Sequence, residues 1–218
     1  LDMMIEAVEG TLDEAEDADL HANDQFEKDA KIVGSIKKKT LSYDDVIATA
    51  IILLSAGYDT TGTTLSWVLY DLAMNQNCQD TLYEEISESG KDVKTLSYET
   101  LQTFPYLDAI IHESMRRHPP IPGLERVCTK DYPIPDSNVI IRKGDKVSLA
   151  VSGICFDPEV YPNPLEFTPE RFFKENSSDR SPYAFSLFSL GPRNCIGMCF
   201  AMYEMKCCLA NLVTRFRL

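Results

Sequence analysis

The chain of 218 residues has no uninterrupted apolar run long enough to cross a bilayer. Its best candidate, 46–56, is too short and too interrupted, and no signal-peptide pattern is expected within these residues. Histidine is scarce. His21, His112 and His118 do not complete a zinc-like spacing, even with Cys195 and Cys199 nearby. An excess of basic residues is also missing: the net charge is −13, which excludes an electrostatic nucleic-acid binder. Internal repeats and low-complexity segments are absent. The seven cysteines (78, 128, 155, 195, 199, 207 and 208) are odd in number and unevenly spaced. That argues against a disulfide framework and suits a reducing compartment.

The acidity that is present is local. Residues 1–30 hold eleven acids and one base, a net −10 that leaves −3 for the remaining 188 residues. A short helix over Asp2–Val8 is expected first. Thr11–Asp29, within the stretch 1–41, then reads as a solvated, mobile acidic loop. Hydrophobic residues make up 44% of the chain, enough for a core. Length alone allows one domain or two.

The most informative run is Phe188-Ser189-Leu190-Gly191-Pro192-Arg193-Asn194-Cys195-Ile196-Gly197. A tight loop leads to Cys195, and a helix is expected to begin just after it and run toward Arg215. Unpaired N–H groups at a helix start favour negative charge on the preceding residues. They favour the thiolate, the form that ligates metals. Gly191 and Gly197 leave room for something flat and bulky. Phe188 would shield the sulfur, and Arg193 could neutralise an acidic group on a ligand. The competing reading is a structural cysteine in a glycine-rich turn. Five fixed residue types at this spacing arise by chance in fewer than about one in a million windows.

This run resembles the haem-ligand loop of the cytochrome P-450 haem-thiolate monooxygenases. The resemblance implies haem as cofactor, Cys195 as the axial ligand of its iron and Arg193 as a partner of a haem propionate.

Three further motifs extend the resemblance. A long helix is expected over 46–72, opened by a Ser42–Asp45 capping box. Gly57 is costly in mid-helix, and Thr60 could bond back to the Ala56 carbonyl and bend it. A bent, opened turn is therefore expected there; the alternative is an ordinary core helix with small residues for close packing. Ala56-Gly57-Tyr58-Asp59-Thr60-Thr61 is similar to the family's oxygen-activation motif. The similarity implies that Thr60 orients protons toward bound dioxygen and Asp59 feeds them.

Glu113-Ser114-Met115-Arg116 lies on an expected helix over 106–117, where Glu and Arg three apart share a face. Alone, such spacing is usually a surface ion pair. Arg171, in Phe167-Thr168-Pro169-Glu170-Arg171-Phe172, supplies a second arginine, and one buried carboxylate can accept from two guanidinium groups. Glu113, Arg116 and Arg171 match the set that locks the loop beneath the haem in the family. Arg126, after Ile121-Pro122-Gly123-Leu124-Glu125, stands where the family has a propionate-binding arginine on a strand. Its plain alternative is a solvated base. Ile121, Pro122 and Leu124 would then face the substrate.

Some positions depart from the pattern. Cys155 stands where many relatives have histidine, which puts the local propionate or loop geometry in doubt. Leu190 replaces a smaller residue. Arg193, together with Met198 and Cys199, favours the endoplasmic-reticulum type served by a diflavin reductase, in the animal xenobiotic-metabolising group.

Downstream, helices are expected over 78–88 and near 97–103. Short strands are expected near 125–129, 138–142 and 147–150, with loops at Asp157-Pro158 and Pro162-Asn163-Pro164. The class is mainly α with a small β component. By resemblance, residues 1–218 form the C-terminal part of a single haem-thiolate monooxygenase domain. The N-terminal part of the fold, with its membrane anchor, lies outside this chain.

The implied activity is insertion of one oxygen atom of O2 into a lipophilic substrate. Electrons would come from NADPH through the reductase, at the cytosolic face of the endoplasmic-reticulum membrane. This stretch alone is expected to be inactive. The alternatives are a haem-thiolate isomerase or dehydratase, against which Asp59 and Thr60 speak, and a non-catalytic truncated product.

Overall fold

A computed structural model describes residues 41–90 and 96–218. The expected Asp2–Val8 helix and acidic loop lie outside the described residues. The chain divides into two compact units. One comprises Leu1–Asp59 with Leu190–Asn194, the other Thr60–Ser189 with Cys195–Leu218.

Helix α1, Tyr43–Met74, contains 32 residues. The capping box forms as its residue types dictate. The Asp45 amide donates to Ser42 Oγ at 3.2 Å, and the Ser42 amide donates to Asp45 Oδ2 at 3.0 Å. The helix does not open at Gly57–Thr60 as the sequence suggested; α-helical backbone is continuous across it. The hydroxyls nearby bond within the helix. Thr64 Oγ1 donates to the Thr60 carbonyl at 2.8 Å and Ser66 Oγ to the Gly62 carbonyl at 2.8 Å. The buried residues of α1 are Thr61, Thr64, Val68, Asp71 and Leu72, one stripe at helical spacing confined to its second half.

Helix α2, Gln76–Glu88, follows after Asn75. A single turn, α3 (Tyr98–Leu101), is capped by Ser97, whose side chain accepts from the Thr100 amide. Helix α4, Pro105–Arg117, starts with proline at its first position. Its next two amides, on Tyr106 and Leu107, donate to the two carboxylate oxygens of Glu85 on α2 at 2.7 and 2.9 Å. One carboxylate thereby caps the helix and favours its positive end.

Strand β1 (Leu124–Val127) pairs antiparallel with β4 (Lys146–Leu149), with Arg126 opposite Val147. Between them, β2 (Tyr132–Pro133) pairs with β3 (Ile140–Ile141). The β2 strand was not anticipated. It is two residues long and exposed, so it carries no burial pattern to read. Two more short helices follow, α5 (Val151–Cys155) and α6 (Lys174–Ser177), which the sequence did not signal. The last helix, α7, spans Met198–Val213. It begins three residues after Cys195, because Ile196–Gly197 is occupied by a turn.

The core lies in the second unit. It joins Val68 and Leu72 of α1, Leu82 and Ile86 of α2, Leu107, Ile110 and Ile111 of α4, and Met205, Leu209 and Val213 of α7. Asp71 is buried beside this core. It accepts from Ser114 Oγ at 2.7 Å and from Arg117 Nη1 at 2.6 Å, while the His118 ring stacks on Trp67. These contacts fix α1 to α4 through polar groups that would be costly if left unpaired.

Candidate active site

Cys195 carries a free, exposed thiol. Its amide donates to the Phe188 carbonyl at 2.7 Å, which closes the loop on itself and fixes where the side chain leaves the backbone. Beyond it, Ile196 is 91% exposed and Phe200 is 71% exposed. Two large apolar side chains in water next to a free thiol form a surface that fits an apolar, metal-bearing ligand. A Cβ added at Gly197 would meet nothing within 4 Å. On the β1 side, Arg126 Nη2 donates to Ser189 Oγ at 3.2 Å, which brings the exposed guanidinium to the segment leading into Cys195. Phe188 is half-buried against the core.

Gly191, Arg193, Gly57 and Asp59 belong to the other unit. Gly191 has φ +74, a left-handed backbone that favours glycine, and opens a 3-10 turn, Gly191–Arg193. Arg193 and Asp59 are exposed, and a Cβ at Gly57 would meet nothing within 4 Å.

The charge network is the best-formed part of the site. Glu113 and Arg116 are both 0% exposed. Arg116 Nε donates to Glu113 Oε2 at 2.8 Å and Nη2 to Oε1 at 2.9 Å, a forked, charge-assisted pair. The rest of the guanidinium ties down backbone: Nη1 donates to the Cys155 carbonyl at 2.7 Å and Nη2 to the Pro164 carbonyl at 2.8 Å. Glu113 Oε1 also accepts the Thr168 amide at 2.9 Å. Arg171 Nε lies 3.4 Å from Glu113 Oε1, in ion-pair range but without a hydrogen bond to the described residues. Arg171 Nη1 and Nη2 donate to the Pro162 and Asn163 carbonyls. The three residues singled out in the sequence are therefore one cluster.

This cluster reaches the cysteine loop through aromatic rings. Phe172, next to Arg171, packs edge-on against Phe185 at 5.2 Å between centroids. Tyr161 Oη donates to the Ala184 carbonyl at 3.3 Å. Both contacts land about ten residues before Cys195, where the chain turns toward it.

Cys155 meets this cluster through its backbone. Its side chain is fully buried, and its thiol is pushed up to about 11, chiefly by burial. Arg116 is held by the Cys155 carbonyl, which any residue supplies.

A second polar cluster had no signal in the sequence. Asp108 on α4 faces His112 one turn on, with Nδ1 to Oδ2 at 3.1 Å, and Lys206 of α7, with Nζ to Oδ1 at 2.7 Å. Burial opposes the charge on His112, but the hydrogen bond and charge of Asp108 outweigh it and raise the imidazole above its ordinary 6.5. Burial likewise opposes ionisation of Asp108, but His112 and Lys206 prevail and hold its carboxyl well below the usual range. A raised histidine contributes stability that is fully present below 6.5 and is lost as pH rises through the folded value. The depressed carboxyl contributes above its ordinary 3.8 and loses this as pH falls. The melting temperature is therefore expected to fall as pH rises from 6.5 through the folded histidine value. His112→Gln should remove that alkaline step; thermal melts across pH with and without the substitution check it.

The donor set narrows what Cys195 can hold. Among the described residues, no group of three or more His, Cys, Asp or Glu could hold a bare metal ion. A lone thiol suits a metal that brings its remaining ligands with it, as porphyrin iron does. The sequence model of the family described as "Cytochrome P450" matches residues 1–218. The chain belongs to the cytochrome P450 family. It is 36% identical over 217 residues to probable cytochrome P450 6a13 of Drosophila melanogaster, covering 99% of this chain and 44% of that protein. It is 44% identical over 182 residues to cytochrome P450 4F8 of Homo sapiens, covering 83% of this chain and 35% of that protein. It is 42% identical over 182 residues to leukotriene-B4 omega-hydroxylase 3 of Mus musculus, covering 83% of this chain and 34% of that protein. The chain thus spans 34–44% of the length of these P450 relatives. No helix among the described residues is long and apolar enough to cross a membrane.

Proposed function

We propose that this chain is the catalytic C-terminal part of a haem-thiolate monooxygenase that inserts one oxygen atom of O2 into a lipophilic organic substrate. The observation that carries the reading is the exposed Cys195 thiol, with its amide fixed to Phe188 and apolar side chains beside it. Family membership points the same way, and one relative bears the name of a leukotriene-B4 omega-hydroxylase.

Haem bound at this surface supplies the activation of dioxygen. The residues supply the rest. Cys195 would hold the iron through its sulfur, and the hydrogen bond from its amide to the Phe188 carbonyl fixes the backbone from which that sulfur extends. Arg126 and Arg193 each offer a guanidinium to a propionate. The Glu113–Arg116–Arg171 cluster supports the loop from behind. Thr60 positions a proton with its hydroxyl, and Asp59 exchanges protons with water from an exposed carboxylate. Ile51 to Thr64 and Pro120 to Leu124, with their small and aliphatic side chains, are each candidate substrate-facing segments by likeness to the family. Electrons arrive from NADPH through a diflavin reductase at the endoplasmic-reticulum membrane.

Turnover by the intact protein with reductase tests this reading. Thr60→Ala is expected to retain haem and to keep consuming NADPH. More of that consumption should end as hydrogen peroxide and less as product. Unchanged coupling of NADPH use to product would remove Thr60 from the proton path.

A further inference from the structure

Helix α7 is seated most deeply in its second half. Its fully buried residues are Met205, Lys206, Leu209, Ala210 and Val213. In the first half, Ala201, Met202 and Tyr203 are partly buried against the core, Tyr203 packs on Tyr98 at 5.4 Å between ring centroids, and Phe200 is exposed. Gly197 provides no side-chain cap. Coming from Cys195, the first fully buried residues of the helix are Met205 and Lys206. Met198, where α7 begins, lies about 12 Å of helix from Lys206 at 1.5 Å per residue. The helix carries the placement of that attachment to the residues beside Cys195.

Lys206 is an unusual residue for this point. It is 3% exposed, and a buried ammonium persists only when paired. Its Nζ lies 2.7 Å from Asp108 Oδ1 on α4 and 2.9 Å from Gln102 Oε1 just after α3. Two directed contacts from two elements set both the rotation and the height of α7, which apolar packing by Met205 and Leu209 alone does not specify. Asp108 is held in turn by His112, and Glu85 of α2 also bears electrostatically on Lys206 and Asp108. The His112 ring packs against Phe172 and Phe185, which lie on the path from the Glu113 cluster to the cysteine loop.

We propose that Lys206 is a positioning residue for Cys195: by fastening α7 to Asp108 and Gln102, it sets the rotation and height at which the helix places the thiol. The proposal deepens the haem-thiolate reading, yet it concerns the loop itself and holds with or without bound haem.

The test is amide hydrogen exchange in the intact protein, read on the Cys195 amide that bonds to Phe188. Lys206→Met keeps the length and burial of the side chain and removes the charge. It is expected to speed exchange of the Cys195 amide about tenfold at a temperature well below its melting point. Lys206→Arg should restore protection. Gln102→Leu, which removes one contact and leaves the charge pair, covers the case in which Lys206→Met does not fold and should give a smaller acceleration. Faster exchange confined to the second half of α7, with the Cys195 amide unchanged, would overturn the proposal and leave Lys206 a packing residue. The reduced carbon-monoxide spectrum of the unmutated protein, recorded alongside, reports separately on whether Cys195 ligates haem.

Discussion

Arg116→Ala in the intact protein is expected to abolish stable haem incorporation. Arg116 is fully buried and makes five hydrogen bonds: two to the Glu113 carboxylate and three to the carbonyls of Cys155, Pro164 and Glu166. Removing it leaves the Glu113 carboxylate buried, with Arg171 at 3.4 Å as its nearest remaining cation. Breaking a buried pair from one side costs about 3–5 kcal/mol. A typical domain has only ~5–15 kcal/mol in total. The loss also frees two backbone segments at once, those near 155 and 164–166, and with them the rings that brace the approach to Cys195. Haem stoichiometry and thermal melting of the purified variant measure the effect. Arg116→Lys should be nearly as damaging, since a single ammonium cannot reproduce the fork. A variant with full haem content and an unchanged melting temperature would show that the cluster does not support the loop.

Substitution of Cys195 should have a different signature. Its thiol is exposed, so Cys195→Ser costs little packing and the fold should survive. The expected loss is confined to the metal: no thiolate-type spectrum, and no detectable product with reductase and NADPH. Retained folding with lost ligation separates this variant from Arg116→Ala, in which both fail together. A Cys195→Ser protein that turned over normally would move the site elsewhere.

Different parts of this account were legible in the sequence for different reasons. The Glu113–Arg116–Arg171 cluster could be read because its helical spacing and second arginine leave a local trace, and the structure brings the three together. The Ser42–Asp45 cap is likewise a local pattern, fully realised. The Asp108–His112–Lys206 cluster left almost none. Asp108 and Lys206 lie on separate helices, and an isolated lysine in α7 reads as surface until its neighbours in space are known. The same holds for Asp71, whose partners Ser114, Arg117 and His118 are more than forty residues away. The opened turn expected at Gly57–Thr60 did not form: α-helical backbone runs unbroken through it, and Thr64 and Ser66 bond back to carbonyls one turn earlier without interrupting the helix. Helix α5 and strand β2 escaped notice because they are five and two residues long, too short to show a period. The helix expected just after Cys195 starts two residues later, since Gly197 rather than Cys195 occupies its cap.

The central claim is that the Cys195 sulfur ligates haem iron. Its most direct test is the absorption spectrum of the intact protein, reduced and saturated with carbon monoxide. The account predicts the strongly red-shifted Soret band of a thiolate-ligated haem, moved to the imidazole-type position by Cys195→His. An imidazole-type band already present in the unmutated protein would contradict it.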